Sequence, residues 1–161
     1  MPIYVQDDGK YFGQSMAILK MLAFEHGYMP ETPMQTYEES WFYATVVDCL
    51  ENKPDRYALL QDEPAAEMVT SCIEIHEKFI KKCDAHWADG RAHVAGDKMT
   101  HADFAMLACI TSTYDNANGK HTAIKEATQV MLTECTNVAR VMAPMRELCA
   151  ETIANMPASS L

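Results

Sequence analysis

The side chains with the widest chemical range in this 161-residue chain are six cysteines and six histidines. Cys49, Cys72, Cys83, Cys109, Cys135 and Cys149 are scattered and form no CxxC pair. A disulfide framework belongs to short, cysteine-dense secreted chains, so these read as reduced thiols used as small core residues. His76, His86, His93 and His101 fit neither HExxH nor a Cys/His zinc spacing, and no metal is expected. Thirteen basic against 23 acidic side chains give a net charge of −10. That balance argues against nucleic acid and anionic membranes, since phosphate binding needs positive surface. No run of ~18 apolar residues marks a membrane span, and no leader is expected at the start. The reading is a soluble, intracellular protein, cytoplasmic or part of an organelle complex.

The elements that must position any site change character along the chain. Ile3-Tyr4-Val5 and Tyr11-Phe12 are β-prone runs around Asp7-Asp8-Gly9-Lys10, which predicts a hairpin. Ser15 is a plausible N-cap for a helix whose stripe is Ala17, Ile18, Met21 and Leu22 and which ends at Gly27. Residues 28–33 carry two prolines and read as a linker. Beyond it everything reads as α. Phe42, Val46, Cys49 and Leu50, with Tyr37 and Trp41 on a neighbouring row, predict a helix over 34–51. Cys72, Ile75, Phe79 and Cys83, flanked by Val69, Ile73, His76 and Ile80, predict another over about 64–87, after an interruption at Pro54. Residues 88–99 read as a loop. Thr100 and Asp103 then form a capping box, with the Thr100 hydroxyl expected to accept from the Asp103 amide. Helices are expected around 121–134 and 137–155, the latter kinked or restarted at Pro144. A non-helical tail closes the chain.

In order, these elements resemble the soluble glutathione S-transferases, over essentially the whole chain. Met1-Pro2-Ile3-Tyr4-Val5 looks like the strand beginning at the family's cis-proline. Gln14-Ser15-Met16-Ala17-Ile18, with Leu22-Ala23 and Gly27 downstream, looks like its Gln-Ser-x-Ala-Ile signature. Val94 through Phe104 resembles its helical-domain capping segment. The resemblance implies a mainly α fold: a glutathione-transferase C-terminal helical bundle preceded by the β-hairpin and helix remnant of a thioredoxin-like domain. The implied organisation is a partial thioredoxin-like domain over 1–28, a linker over 29–35 and an all-α domain over 36–161. By the same resemblance Gln14, Ser15 and Met1 would contact glutathione, while Pro2, Thr100 and Asp103 would be structural. A serine hydroxyl beside a helix N-terminus suits a carboxylate, but capping is also serine's ordinary task there.

The family's thioredoxin-like domain begins with a strand, helix, strand and helix that carry the group activating the glutathione thiolate. This chain is expected to lack them, which leaves no catalytic residue assigned. Tyr4 and Tyr11 sit on the hairpin, where the motif gives tyrosine no catalytic role. The edge at Ile3, Tyr4 and Val5 would then present unpaired backbone groups, which invites completion by another polypeptide. The expected function is therefore a non-catalytic structural or accessory subunit docked on protein partners, as a homodimer or in a larger complex, with no cofactor. The alternative is a glutathione transferase, conjugating the thiol to electrophiles, whose first half comes from a partner chain or from sequence outside these residues. Glutathione would then be its cofactor. A third class, the scaffold use of this helical domain in translation complexes, fits the retained Gln-Ser pair less well. Trp41, Tyr37 and Tyr114 are candidates for an apolar substrate wall, against the ordinary reading of bundle core.

Overall fold

A computed structural model describes residues 3–51, 64–113, 115, 116, 118 and 121–157. Met1, Pro2, Pro54 and Tyr114 lie outside the described residues, and so do the expectations attached to them. Strands β1 (Tyr4–Val5) and β2 (Tyr11–Phe12) pair antiparallel, with Tyr4 opposite Phe12 and Val5 opposite Tyr11. The turn between them closes through the Gly9 amide on the Gln6 carbonyl at 2.8 Å, and Gly9 takes φ 84°. Only a residue without Cβ adopts that conformation cheaply, so the Asp-Gly step sets this hairpin.

Helix α1 (Ser15–His26) follows, and Gly27 ends it in the left-handed region at φ 78°. The expected N-cap does not form. Gln14 occupies the cap position, at φ 68°, and Ser15 is the first helical residue, with no side-chain cap. Because the Gln14 carbonyl already receives the Ile18 amide at 3.0 Å, the helix starts one residue earlier than a serine cap requires. Of the predicted stripe, Ala17 is exposed and Ile18, Met21 and Leu22 are half-buried, while Ala23 is the buried residue.

Helix α2 (Pro33–Glu51) begins inside the stretch that the prolines mark as a linker. Pro33 stands in the first turn, where its missing N–H costs nothing. The Gln35 amide donates to the Thr32 hydroxyl at 3.1 Å, and Gln35 Oε1 accepts from the Glu31 and Thr32 amides at 2.8 and 3.3 Å. That is a second capping box, built with glutamine. Helices α3 (Ala66–His86), α4 (His101–Thr113), α5 (Thr122–Glu134), α6 (Thr136–Leu148) and α7 (Ala150–Ala154) complete the bundle.

The helix containing Pro144 does not restart at the proline; α6 continues to Leu148 and the break falls at Cys149. Val138, Val141, Met142 and Met145 are all buried, so packing on both sides of Pro144 outweighs one missing backbone bond. Asp84 of α3 caps this helix from outside, accepting the Asn137 and Val138 amides at 2.8 and 3.1 Å.

The core lies among α2, α3, α4 and α6, on Phe42, Phe79, Ile80, Trp87, Met106, Ile110 and Met142. Cys49, Cys72, Cys83 and Cys135 are buried within it or beside it, whereas Cys109 and Cys149 are half-buried. Tyr37, read as a core candidate, is exposed; its neighbours Glu38 and Glu39 are buried instead.

Candidate functional site

The first turn of α4 is where the chain's distant parts meet. Its amides have no partners within the helix and are buried, so something outside must accept them. Asp103 Oδ2 accepts the Thr100 amide at 2.8 Å, and Oδ1 accepts the Val94 amide at 2.9 Å. The Thr100 hydroxyl accepts from Ala102 at 3.3 Å, while the Asp103 amide reaches the Thr100 carbonyl at 3.1 Å. The cap thus closes one residue earlier than the sequence implies. The Tyr28 carbonyl accepts the His101 amide at 3.0 Å, which fastens the end of the α1 segment to the bundle. Burial pushes the Asp103 carboxyl above the usual carboxylate range, against the pull of its two amide donors and of His93, 3.3 Å away.

Around this turn runs a buried polar chain. His101 Nδ1 lies 2.6 Å from the Tyr43 hydroxyl, and Nε2 lies 3.2 Å from Glu39 Oε1, without good hydrogen-bond alignment. Lys20 of α1 completes it with an ion pair to Glu39 at 3.1 Å. Burial is the largest effect on His101 and pulls its pKa below the ordinary value, with Lys20 adding to it and Glu39 opposing. Burial and the charges on Glu39 and Asp103 push the Tyr43 phenol well above its ordinary range. A phenol so disfavoured as an anion stays protonated beside His101 Nδ1.

Beside His101 an apolar cleft of about 190 Å³ opens between α1 and α4. Leu19, Leu22, Ala23 and His26 line one side, with Tyr28 and Phe104 opposite. Gln14 and Ser15 are exposed at the other end of α1. A helix rises about 1.5 Å per residue, so Ser15 stands from one to about three turns away from the cleft residues. Gln14 and Ser15 are adjacent to each other, but the structure does not bring them together with Thr100 and Asp103. Tyr4 packs its ring on Phe12, with centroids 6.2 Å apart, and Tyr11 is exposed.

A second polar group holds the loop before α4. Arg91 reaches Glu38 at 2.6 Å, Asp89 at 2.7 Å and the Val94 carbonyl at 3.2 Å. His86 Nε2 shares Glu38 at 2.7 Å and stacks on Trp41 with centroids 3.6 Å apart. Trp41 is therefore held by a charged cluster and is not a free wall of a substrate cleft. Arg91 holds the Asp89 carboxyl down, to about 2. Among the described residues no group of three His, Cys, Asp or Glu is arranged for a metal ion, and no helix is long and apolar enough to cross a membrane.

A two-stranded hairpin, a helix closed by a left-handed glycine, and a helical bundle in which α4 carries a buried Thr-x-x-Asp cap make an arrangement that matches the larger part of solved glutathione S-transferases. Two solved structures share it. The glutathione S-transferase Blo t 8 superposes with a TM-score of 0.72 and 22% identity, covering 96% of this chain and 68% of that one. NaGST-2 superposes with a TM-score of 0.74 and 16% identity, covering 100% of this chain and 76% of that one. No family model and no curated protein matches the sequence.

Asp103→Ala is expected to leave two buried amides unpaired and to cost about 2–4 kcal/mol, lowering the melting temperature by roughly 10 °C. Asp103→Asn keeps one acceptor and should cost about half as much; a loss under ~0.5 kcal/mol for the alanine variant would contradict the cap's role. His101 sets a pH dependence as well. Its folded pKa lies below the unfolded value of about 6.5, so the unfolded chain takes up more protons as pH drops. Its contribution is whole above pH ~6.5 and is lost as pH falls through that value toward the folded pKa. Urea midpoints at pH 7.5 and 5.5 should differ less for His101→Gln than for the wild type. An equal drop in both would place the titration elsewhere.

Proposed function

We propose that this chain is a non-catalytic structural or accessory subunit of the glutathione S-transferase type, docked on a protein partner through residues 3–28. The observation that carries the reading is the surface of that segment. Ile3, just before β1, and Val5 lie two residues apart, Tyr11 stands opposite Val5 on β2, and the three are 63%, 48% and 75% exposed. Phe24 of α1 is exposed as well. Among the described residues β1 has a single neighbouring strand. A hairpin of this size is marginal in water unless its face and edge are covered; strand addition by a partner pairs the edge, and a partner surface packed on Ile3 and Val5 covers the face. The apolar cleft between α1 and α4 adds a third uncovered surface to the same segment.

The second reading is a glutathione transferase whose remaining elements come from a partner chain or from sequence beyond these residues. What favours it is the start of α1. Gln14 is the one described non-glycine residue at positive φ, and the exposed first turn at Ser15 turns helix amides toward solvent, a setting suited to a carboxylate such as the γ-glutamyl end of glutathione. The domain division at 28 and 36 belongs to both readings.

A conjugation assay separates them. The purified chain with glutathione and a chromogenic electrophile should turn over at the uncatalysed rate. Turnover above it that falls on Ser15→Ala would overturn the first reading and favour the second. Native mass spectrometry should find the chain self-associated or in complex. A lone monomer whose Tyr4 and Val5 amides resist hydrogen exchange would count against docking.

A further inference from the structure

One buried oxygen of α2 serves basic groups from two other helices. Glu39 Oε1 receives the Lys20 ammonium of α1 at 3.1 Å and lies 3.2 Å from His101 Nε2 of α4. The two differ in their freedom. The His101 side chain is 1% exposed, whereas that of Lys20 is 51% exposed and can turn to water. On the other side of the ring Tyr43 of α2 meets Nδ1 at 2.6 Å with its phenol protonated, and Lys20 lies 6.0 Å from the centre of the Tyr43 ring. Asp103, on the same helix as His101, is held by two amides and by His93 of the preceding loop. His26 of α1 lines the cleft beside His101 and is exposed. The arginines of α6 are engaged elsewhere, Arg140 on Asn137 and two carbonyls and Arg146 on Asp115.

The neutral ring and Lys20 share this oxygen without conflict, because only one of them is charged. A second proton on the ring changes that. The imidazolium carries a hydrogen on both nitrogens, so Nε2 then holds a proton facing Glu39 whichever nitrogen bore the first. Two positive charges meet at one buried oxygen, and each weakens the hold of the other. His101 cannot leave, since its amide is bound to the Tyr28 carbonyl and its ring is enclosed. Lys20 can leave, because the imidazolium stays behind to balance Glu39 and no buried charge is left alone. We propose that protonation of His101 displaces Lys20 from Glu39, so that acid loosens α1 from the bundle and neutral pH fastens it. The linkage runs both ways. With Lys20 in place the ring takes up its proton at a lower pH than with Lys20 gone, in keeping with the part Lys20 has in lowering the His101 pKa. Tyr28 keeps the His101 amide and its edge-on contact with Phe104, so the end of the segment stays tethered while α1 lets go. That the loosened face is a docking surface rests on the reading above; the loosening itself belongs to the lone chain.

The test therefore uses the full chain without a partner, and its outcome is separate from that of the docking experiments. Magnetic resonance of the His101 ring gives its titration midpoint in the wild type and in Lys20→Met, where the midpoint should rise. Exchange of the Leu19, Met21 and Leu22 amides is then compared in the two proteins, above and below the wild-type midpoint. Above it, protection in the wild type should exceed that in Lys20→Met by about fivefold, the size of a single partly buried ion pair. Below it the two should agree within about twofold, because acid has already broken the pair. In His101→Gln the effect of Lys20→Met should be the same at both pH values. In His26→Gln it should vanish below the midpoint as it does in the wild type. A midpoint that stays or falls in Lys20→Met overturns the proposal. So does a Lys20 effect of equal size at both pH values in the wild type, or a ring that stays neutral until the whole chain unfolds. Should His101→Gln fail to fold, the midpoint in Lys20→Met and the pH dependence of its effect decide alone.

Discussion

A helix that starts inside a protein must find acceptors for its first amides, and here that requirement falls on one carboxylate. Asp103 answers it for both Thr100 and Val94, which joins the beginning of α4 to the loop packed beneath it. The next amide, that of His101, goes to Tyr28 and so ties in the α1 segment. The His101 ring extends the same junction sideways to Tyr43 and Glu39, and through Glu39 to Lys20. Four separate parts of the chain are thus held at a single turn. Buried polar groups of this kind are costly when unmatched, which gives the junction one arrangement instead of several.

What the sequence made legible is what short-range chemistry decides. The Asp-Gly turn, the left-handed Gly27, the Thr100–Asp103 pair and the apolar row of α3 each depend on residues within about one helical turn of one another. Glu38 and Glu39 were not legible. Their neighbours in sequence are aromatic, and an acidic pair there reads as a solvated rim. They are buried because Arg91 and His86 meet Glu38, and His101 and Lys20 meet Glu39, across separations that no local pattern records. Tyr37 and Trp41 follow from the same cause. The helix turns its two carboxylates inward, Tyr37 goes to solvent, and Trp41 is claimed by His86. A signal did exist, in Arg91 of the loop before α4, and in the Thr32–Gln35 box that starts α2 at a proline.

The contrast between the two parts of the molecule bears on function. The bundle satisfies its helix ends with Asp84, Asp103 and Gln35 and fills its interior with aromatic, methionine and thiol side chains. Among the described residues the segment before it is held to the bundle by a backbone bond and an edge-on ring contact at Tyr28, by Lys20 on Glu39 and over the Tyr43 ring, and by the half-buried side of α1. Ile3, Val5, Tyr11 and Phe24 leave apolar side chains exposed on it, and the junction at α4 is what holds the segment to the bundle.

Native-state hydrogen exchange at the junction tests this account most directly. The amides of Val94, Thr100 and His101 should exchange only when the whole bundle unfolds, with a free energy and a denaturant dependence equal to those of global unfolding. Exchange of these amides at the rate of an open loop, while the amides of α3 and α6 stay protected, would show that the turn does not hold the fold together.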